Sequence, residues 1–329
     1  MRIRDFIFLF AVAGTIGCLD DRAQATSLAS LIHGEGAKRS LDITVRNDRG
    51  EPIEGAEVTL GFWSPYSTTS LKSHGNTDEK GHVTLSQKCH TDGGFSVVKD
   101  GYYKTSQGLP EINPLASAET VRKTFWGYAW KNPEIRSVVL RDKRAPTPLL
   151  ARWIELEIPA LDAPLGFDLE RMDWVAPHGK GVHTDCLIRF VTKPYESWRE
   201  VECISIRFPN THDGMQRCEG FPDSDFFSDY HVNTNRTFQN AIRLDAVSRT
   251  RFLDESTYLT FRVRSVVDSQ ERIVSAHYGK IYPLIDVNTT TLRIRALYFN
   301  PTPNDTNLEF DPEQNLIPKM KWWYRATWP

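Results

Sequence analysis

Leu41-Asp-Ile-Thr-Val-Arg46 places Leu41, Ile43 and Val45 on one side of an extended chain and Asp42, Thr44 and Arg46 on the other. That alternation is the period-two pattern of a half-buried strand. After the turn signal Asn47-Asp-Arg-Gly50 the pattern returns in Ala56-Glu-Val-Thr-Leu60, and Val83-Thr-Leu85, Phe95-Ser-Val97 and Val138-Val-Leu140 add further short strands. A longer insert, Gly108 to Glu134, has room for one short helix over Ser117–Lys123, with Ser117 as its cap and Glu119 in its first turn.

Past Leu140 the composition shifts. Arg141-Asp-Lys-Arg-Ala-Pro-Thr-Pro148 is charged and then punctuated by proline, as a linker is. Alternation resumes in Ile154–Ile158, Cys186–Val191, Val201–Phe208, Leu259–Val266, Ile273–Ile281 and Leu292–Ala296, and Asp268-Ser-Gln-Glu-Arg272 reads as a hairpin turn between two of them. No sustained helical stripe and no fixed-period repeat occurs. The predicted fold class is therefore all-β, with two β-rich domains in tandem. The 329 residues carry 40 basic and 42 acidic side chains, a net charge of −2, which excludes a disordered polyelectrolyte and a basic nucleic-acid binder. Five cysteines in this length also exclude a small disulfide scaffold.

The first domain carries a local pattern: Gly50-Glu-Pro52-Ile53-Glu-Gly55-Ala56, then Thr77-Asp78-Glu-Lys-Gly81-His-Val83, then Val98-Lys99-Asp100-Gly101-Tyr102. Gly50 and Gly81 can close turns at positive φ, Pro52 opens a strand where no ladder donor is needed, and Thr77 and Asp78 can satisfy turn amides. The pattern resembles the carboxypeptidase regulatory-like (transthyretin-like) β-sandwich family. That resemblance implies an Ig-like sandwich over 38–143, used as an accessory or interaction module without catalytic residues of its own. The segments Phe167–Gly181 and Tyr298–Asp311 resemble parts of exported bacterial proteins that pair such a domain with a β-rich C-terminal part, and this brings no activity with it. The expected organisation is a signal peptide at 1–17, a linker at 18–37, the sandwich at 38–143, a linker at 144–152, a second β-rich domain at 153–318, and an aromatic tail at 319–329.

Arg2 and Arg4 precede Phe6–Gly17, twelve residues without a charge. The run is too short to span a bilayer as a helix and fits a signal-peptide core behind a positive start. Thr15-Ile16-Gly17-Cys18 resembles a lipobox, which would make Cys18 a lipid attachment site, although Thr stands where that motif usually has Leu. The rival is ordinary cleavage at Ala23-Gln24-Ala25. Either route predicts export, to a bacterial envelope as a lipoprotein or to the periplasm or medium.

In an oxidising compartment Cys89, Cys186, Cys203 and Cys218 allow three pairings. Cys203 and Cys218, 15 apart across a strand and loop, are the first choice for a disulfide. No Cys or His pair has zinc spacing, and no nucleophile elbow, P-loop or dinucleotide fingerprint occurs, so no catalytic residue, metal or cofactor is expected.

Three constellations remain. Asp223-Ser-Asp225-Phe-Phe-Ser-Asp229 gathers carboxylates, but Phe227 and Ser228 spoil EF-hand spacing. Trp126 and Trp130 lie in an aromatic run that either stacks on a ligand or plugs one end of the sandwich, and Lys319-Met-Lys-Trp-Trp-Tyr324 poses the same choice. Arg262, Arg264, Arg293 and Arg295 alternate with apolar residues on two strands, and in one sheet they would share an anion-binding face. The sequence thus predicts a non-catalytic exported protein that binds a glycan or another surface protein. The alternative is an exported hydrolase of peptide or polysaccharide, with its site in 150–310 and the first domain as accessory.

Overall fold

The computed structural model describes residues 37–62, 71–89, 93–109, 121–124, 127–130, 133–195, 198–318, 326 and 329. The chain is all-β: among the described residues the one helical element is a 3-10 turn at Pro312–Gln314. It divides into two compact units, Met1–Asp142 and Lys143–Pro329.

The first unit contains β1 (Ala37–Asn47), β2 (Glu57–Phe62), β3 (Leu71–Asn76), β4 (His82–Cys89), β5 (Gly93–Val98), β6 (Thr105–Leu109), β7 (Val121–Thr124), β8 (Gly127–Trp130) and β9 (Glu134–Leu140). One sheet runs β4-β1-β9 and the other β3-β2-β5-β6, with β7 and β8 as a separate ribbon. Alternation does here what the sequence predicts. Leu41, Ile43 and Val45 from β1 meet Ala56, Val58, Leu60 and Phe62 around β2 in one apolar core. β1 and β9 run parallel in register from Leu41↔Glu134 to Asn47↔Leu140. At the start of that pairing the buried Arg39 guanidinium donates to Glu134 Oε2 from Nε (3.0 Å) and Nη2 (2.7 Å).

The turn chemistry follows the side chains. Thr77 Oγ1 donates to the Ile53 carbonyl and accepts from the Ala56 N–H, and Asp78 Oδ1 accepts from the Lys80 and His82 N–H groups. Gly81 has φ +75°, and a Cβ there would lie 2.3 Å from the Val45 carbonyl oxygen, so only glycine fits. The short helix expected over Ser117–Lys123 is not formed at its described end. Val121–Lys123 belong to β7, which pairs antiparallel with β8, so a ladder partner and the β-branched Val121 and Thr124 outweigh the helical signal. Ser117 lies outside the described residues.

The second unit contains β10 (Leu150–Glu157), β11 (Leu165–Asp168), β12 (Asp173–Trp174), β13 (Cys186–Tyr195), β14 (Trp198–Arg207), β15 (Gly214–Glu219), β16 (Ala241–Asp245), β17 (Thr257–Val267), β18 (Ile273–Ile281), β19 (Ile285–Val287) and β20 (Thr291–Asn300). A six-stranded sheet is ordered β10-β20-β18-β17-β15, with β19 paired to β20, and a five-stranded sheet is ordered β12-β11-β13-β14-β16. Inward side chains of both sheets, among them Phe167, Ile188, Phe190, Phe261, Leu297 and Phe299, build its main core. A cavity of about 20 Å³ inside it is lined by apolar side chains and the Cys186 thiol, a lining that leaves such a space dry.

Residues 144–152, expected as a linker, are part of this unit. Glu309 accepts the N–H groups of Arg144 and Ala145, each at 2.7 Å, and Leu150 opens β10. Two well-placed amides and a strand partner thus bind a segment whose prolines suggested freedom.

Candidate functional site

The second unit presents an ordered loop, Leu169–Thr184, on top of a buried cluster of carboxylates around one arginine. The loop begins where β11 ends. Phe167 points into the core and meets Trp174 edge-on, with centroids 5.2 Å apart, and Trp174 meets Phe190 in the same way at 6.1 Å. Trp174 Nε1 donates to the Glu157 carbonyl at 2.7 Å, so the buried indole keeps its polar handle satisfied. Leu169 and Met172 are buried beneath the loop. Gly179 turns the chain back so closely that a Cβ would lie 2.3 Å from the Trp174 carbonyl oxygen.

Asp168, next to Phe167, holds the loop from below. Its side chain is fully buried, at 0% exposure. Oδ1 accepts from the Glu170 N–H (3.0 Å) and the Arg171 N–H (2.9 Å), and Oδ2 accepts from the Val182 N–H (2.8 Å) and the His183 N–H (3.0 Å). One carboxylate therefore ties the outgoing and returning arms of the loop together. Asp173 repeats the device on a smaller scale, accepting from the Trp174 and Lys180 N–H groups. Asp185 Oδ2 takes the Leu169 N–H at 2.9 Å.

Arg264 completes the cluster. It sits in a break of the β17–β18 register between Val263 and Val266, with φ +56°, which is the left-handed region that non-glycine residues rarely occupy. Asp213 stabilises that backbone by accepting from the Arg264 and Ser265 N–H groups, both at 2.9 Å. The guanidinium then reaches Asp185 through Nε (2.9 Å), Asp168 through Nη2 (3.2 Å), and Glu170 through Nη1.

Charge is uneven in this cluster. Burial pushes the Asp168 carboxyl up, but the N–H groups of His183, Arg171 and Val182, with Arg264, outweigh it and hold the group below its ordinary value. Burial dominates at Asp185 and leaves its carboxyl raised despite Arg264. Burial also works against the Arg264 charge, yet Asp185 and Glu170 more than compensate and keep it firmly cationic. These acids are spent on backbone N–H groups and the guanidinium, so the cluster works as a rigid mount. Arg171, His178, Lys180, Val182 and His183 face outward from it as exposed residues, Val182 at 66% exposure.

The arginines singled out in the sequence do not share an anion-binding face. β18 lies between β17 and β20. Arg264 is committed to the carboxylate cluster. Arg262 donates to the His212 carbonyl at 2.9 and 2.6 Å and lies over the Phe238 ring. Arg293 pairs with Glu155 at 3.0 Å, and Arg295 occupies an outer position of β20. For Arg264 the physical reason is the register break, which takes it out of the alternation, while Arg262 and Arg293 are engaged by partners within the unit.

The expected Cys203–Cys218 bridge is also absent. Both are buried free thiols, as is Cys186, and they stand on β14 and β15, which belong to different sheets. In Asp223–Asp229 the buried Phe226 and Phe227 draw the segment inward, and Asp229 accepts from the Tyr258 hydroxyl at 3.1 Å. Among the described residues no group of three or more His, Cys, Asp or Glu side chains is placed to hold a metal ion. Cys18, Trp126, the Trp130 side chain and the Lys319–Tyr324 run lie outside the described residues and side chains.

Sequence reading missed Asp168, Asp185 and Asp213. The one local sign was an aspartate inside the apolar run Leu165-Gly-Phe-Asp-Leu169, since an unpaired carboxylate is rarely buried.

No family model matches the chain, and no curated protein matches it. Among solved structures, 33% of the chain is similar to 3-chlorocatechol 1,2-dioxygenase from Rhodococcus opacus 1CP, at 13% identity and TM-score 0.26. The Bacillus anthracis TIE protein is matched over 83% of the chain at 9% identity and TM-score 0.22. BcpA, the major pilin subunit of Bacillus cereus, is matched over 78% of the chain and 95% of its own length, at 8% identity and TM-score 0.21. The chain spans 61% of the dioxygenase and 49% of the TIE protein, and scores this low carry no inference about activity or ligand.

Proposed function

We propose that the protein is an exported, non-catalytic binding protein whose second unit contacts a glycan or another surface protein through the Leu169–Thr184 loop. The observation that carries this reading is the carboxylate mount. A loop already ordered by Asp168, Asp173 and Asp185 loses little further conformational freedom when a partner arrives, so more of the contact energy appears as affinity. Its exposed residues combine cationic, hydrogen-bonding and apolar groups, which suits a polar partner surface. In this reading the first unit is a carboxypeptidase regulatory-like accessory sandwich. Export follows the N-terminal signal, with Cys18 lipidated or the signal removed by ordinary cleavage.

The test incubates purified mature protein with isolated cell-wall and polysaccharide fractions and measures both retention and product release. Replacing Lys180, Val182 and His183 together by Ala, side chains that point away from the core, is expected to weaken retention about tenfold, roughly 1.4 kcal/mol, with the unfolding midpoint unchanged. Product release that a point mutation in the second unit abolishes would overturn the non-catalytic reading. Undiminished retention of the triple variant would remove the loop from it.

A further inference from the structure

Acids and bases of the Leu169–Thr184 loop face opposite ways. Glu170 binds Arg264, and Asp173 accepts the Trp174 and Lys180 N–H groups. Asp168 and Asp185, which flank the loop, are 0% and 4% exposed. Arg171, His178, Lys180 and His183 are all exposed. Among the described residues the side chains of Arg171, His178 and Lys180 make no hydrogen bond or ion pair. His183 has one long contact, with Nδ1 3.9 Å from Asp168 Oδ2. Elsewhere on the unit, exposed arginines find acids: Arg199, Arg243, Arg272 and Arg293 pair with Asp162, Asp245, Asp268 and Glu155.

The four basic residues also leave the backbone close together. Asp168 and Asp173 are register partners of β11 and β12. The Arg171 and His183 N–H groups meet on the Asp168 carboxylate, and the Lys180 N–H meets that of Asp173. The His178 N–H donates to the Val175 carbonyl at 3.2 Å, within the turn that the Gly181 N–H closes on the Trp174 carbonyl. A ligand arriving here meets guanidinium, ammonium and imidazole donors, while the carboxylate oxygens beneath are already filled. Such donors bond most strongly to carboxylate or phosphate oxygens. Val182 is the one large apolar side chain that the loop exposes, whereas a protein partner is usually anchored by aromatic side chains in a packed pocket. We propose that the loop binds a polysaccharide bearing carboxylate or phosphate groups, with Arg171 and Lys180 supplying the charge and His178 and His183 further donors. The proposal rests on the loop being the contact surface and adds the class of ligand.

The test measures binding of the purified mature protein to immobilised polygalacturonate, poly(glycerol phosphate), dextran and polyglutamate. Binding is expected to one or both acidic polysaccharides and to neither of the others, and the two acidic arms distinguish carboxylate from phosphate. It is expected to be about tenfold weaker in about 0.5 M salt than in about 0.05 M salt, where the Debye length is about three times longer. The double variant Arg171→Gln, Lys180→Gln is expected to bind about tenfold more weakly. A control, Lys193→Gln with Arg236→Gln, removes the same charge from exposed residues outside the loop and is expected to bind as the parent does. Equal loss in the control overturns the proposal, because general charge would then drive binding. Binding to polyglutamate as strong as to either acidic polysaccharide overturns the assignment to a glycan. Binding to dextran that the loop variant weakens, or binding to no polymer while retention on cell-wall fractions still depends on the loop, overturns the anionic ligand and leaves the loop as the contact surface. If retention on those fractions is indifferent to the loop as well, both readings fall.

Discussion

Asp168→Asn changes no shape and tests whether the carboxylate mount holds the loop. The Asp168 carboxylate accepts four backbone N–H groups, two on each oxygen, and one N–H of Arg264. An asparagine side chain has one accepting oxygen and one donating amide nitrogen. Whichever way it is turned, two backbone donors at 2.8–3.0 Å then face another donor. Each buried donor left without an acceptor costs about 1–3 kcal/mol. Partial relaxation of the loop places the total at about 3–5 kcal/mol, a large share of the roughly 5–15 kcal/mol that keeps a domain folded. For a unit of this size the unfolding midpoint falls by roughly 6–20 °C. The assay is denaturant and thermal unfolding of the second unit, with hydrogen exchange at Glu170, Arg171, Val182 and His183 as the local readout. Those four amides are expected to lose protection while amides in β17 and β18 keep theirs. A loss below about 1 kcal/mol, or four amides that stay protected, would refute the reasoning, because the carboxylate would then not be what holds the loop.

Acid titration separates two members of the cluster. Asp168, held below its ordinary value, contributes stability that is complete above the unfolded carboxylate pKa of about 3.9 and is lost as pH falls through its lower folded value. Asp185, raised mainly by burial, works with the opposite sign: its proton binds more readily in the folded state, so acidification through its raised value favours folding. Carboxyl NMR should show Asp185 protonating at higher pH than Asp168, and the reverse order would contradict the assignment. The thiols give a third expectation. Burial pushes Cys186, Cys203 and Cys218 all upward, with Asp185 and Asp168 adding to the effect at Cys186. Alkylation of the native protein near pH 8, read by peptide mass, should leave all three unmodified until the chain is unfolded. Rapid native labelling of any of them would contradict their burial.

Strands that bury one face were legible because alternation is a direct imprint of burial. β1, β10, β14 and β20 show it plainly. The strands that escaped notice are mostly sheet edges. β3 and β6 flank one sheet of the first unit, β12 and β16 flank the smaller sheet of the second, and β15 ends the larger one. Edge strands such as Leu71–Asn76, with sequence LKSHGN, take their conformation from the neighbour they pair with and need no apolar stripe of their own. The loop site was hidden for a different reason. Asp168 and Arg264 are 96 residues apart, and the register break that turns Arg264 toward the acids has no signature in the alternation of Phe261, Val263 and their neighbours. Periodicity reports which face is buried, while a buried polar cluster is fixed by tertiary partners that only the folded chain brings together.

The parallel pairing of β1 with β9 has a mechanical consequence. Tension applied through Ala37 and Leu140 draws these two strands along their lengths in opposite directions, since one is pulled by its beginning and the other by its end. Their hydrogen bonds are then strained side by side and share the load, whereas a hairpin pulled open from one end breaks them in turn. The Arg39–Glu134 pair sits where sliding must start and adds a charged lock to it. The β1–β9 ladder is thereby loaded in shear, with its hydrogen bonds strained together and not one after another.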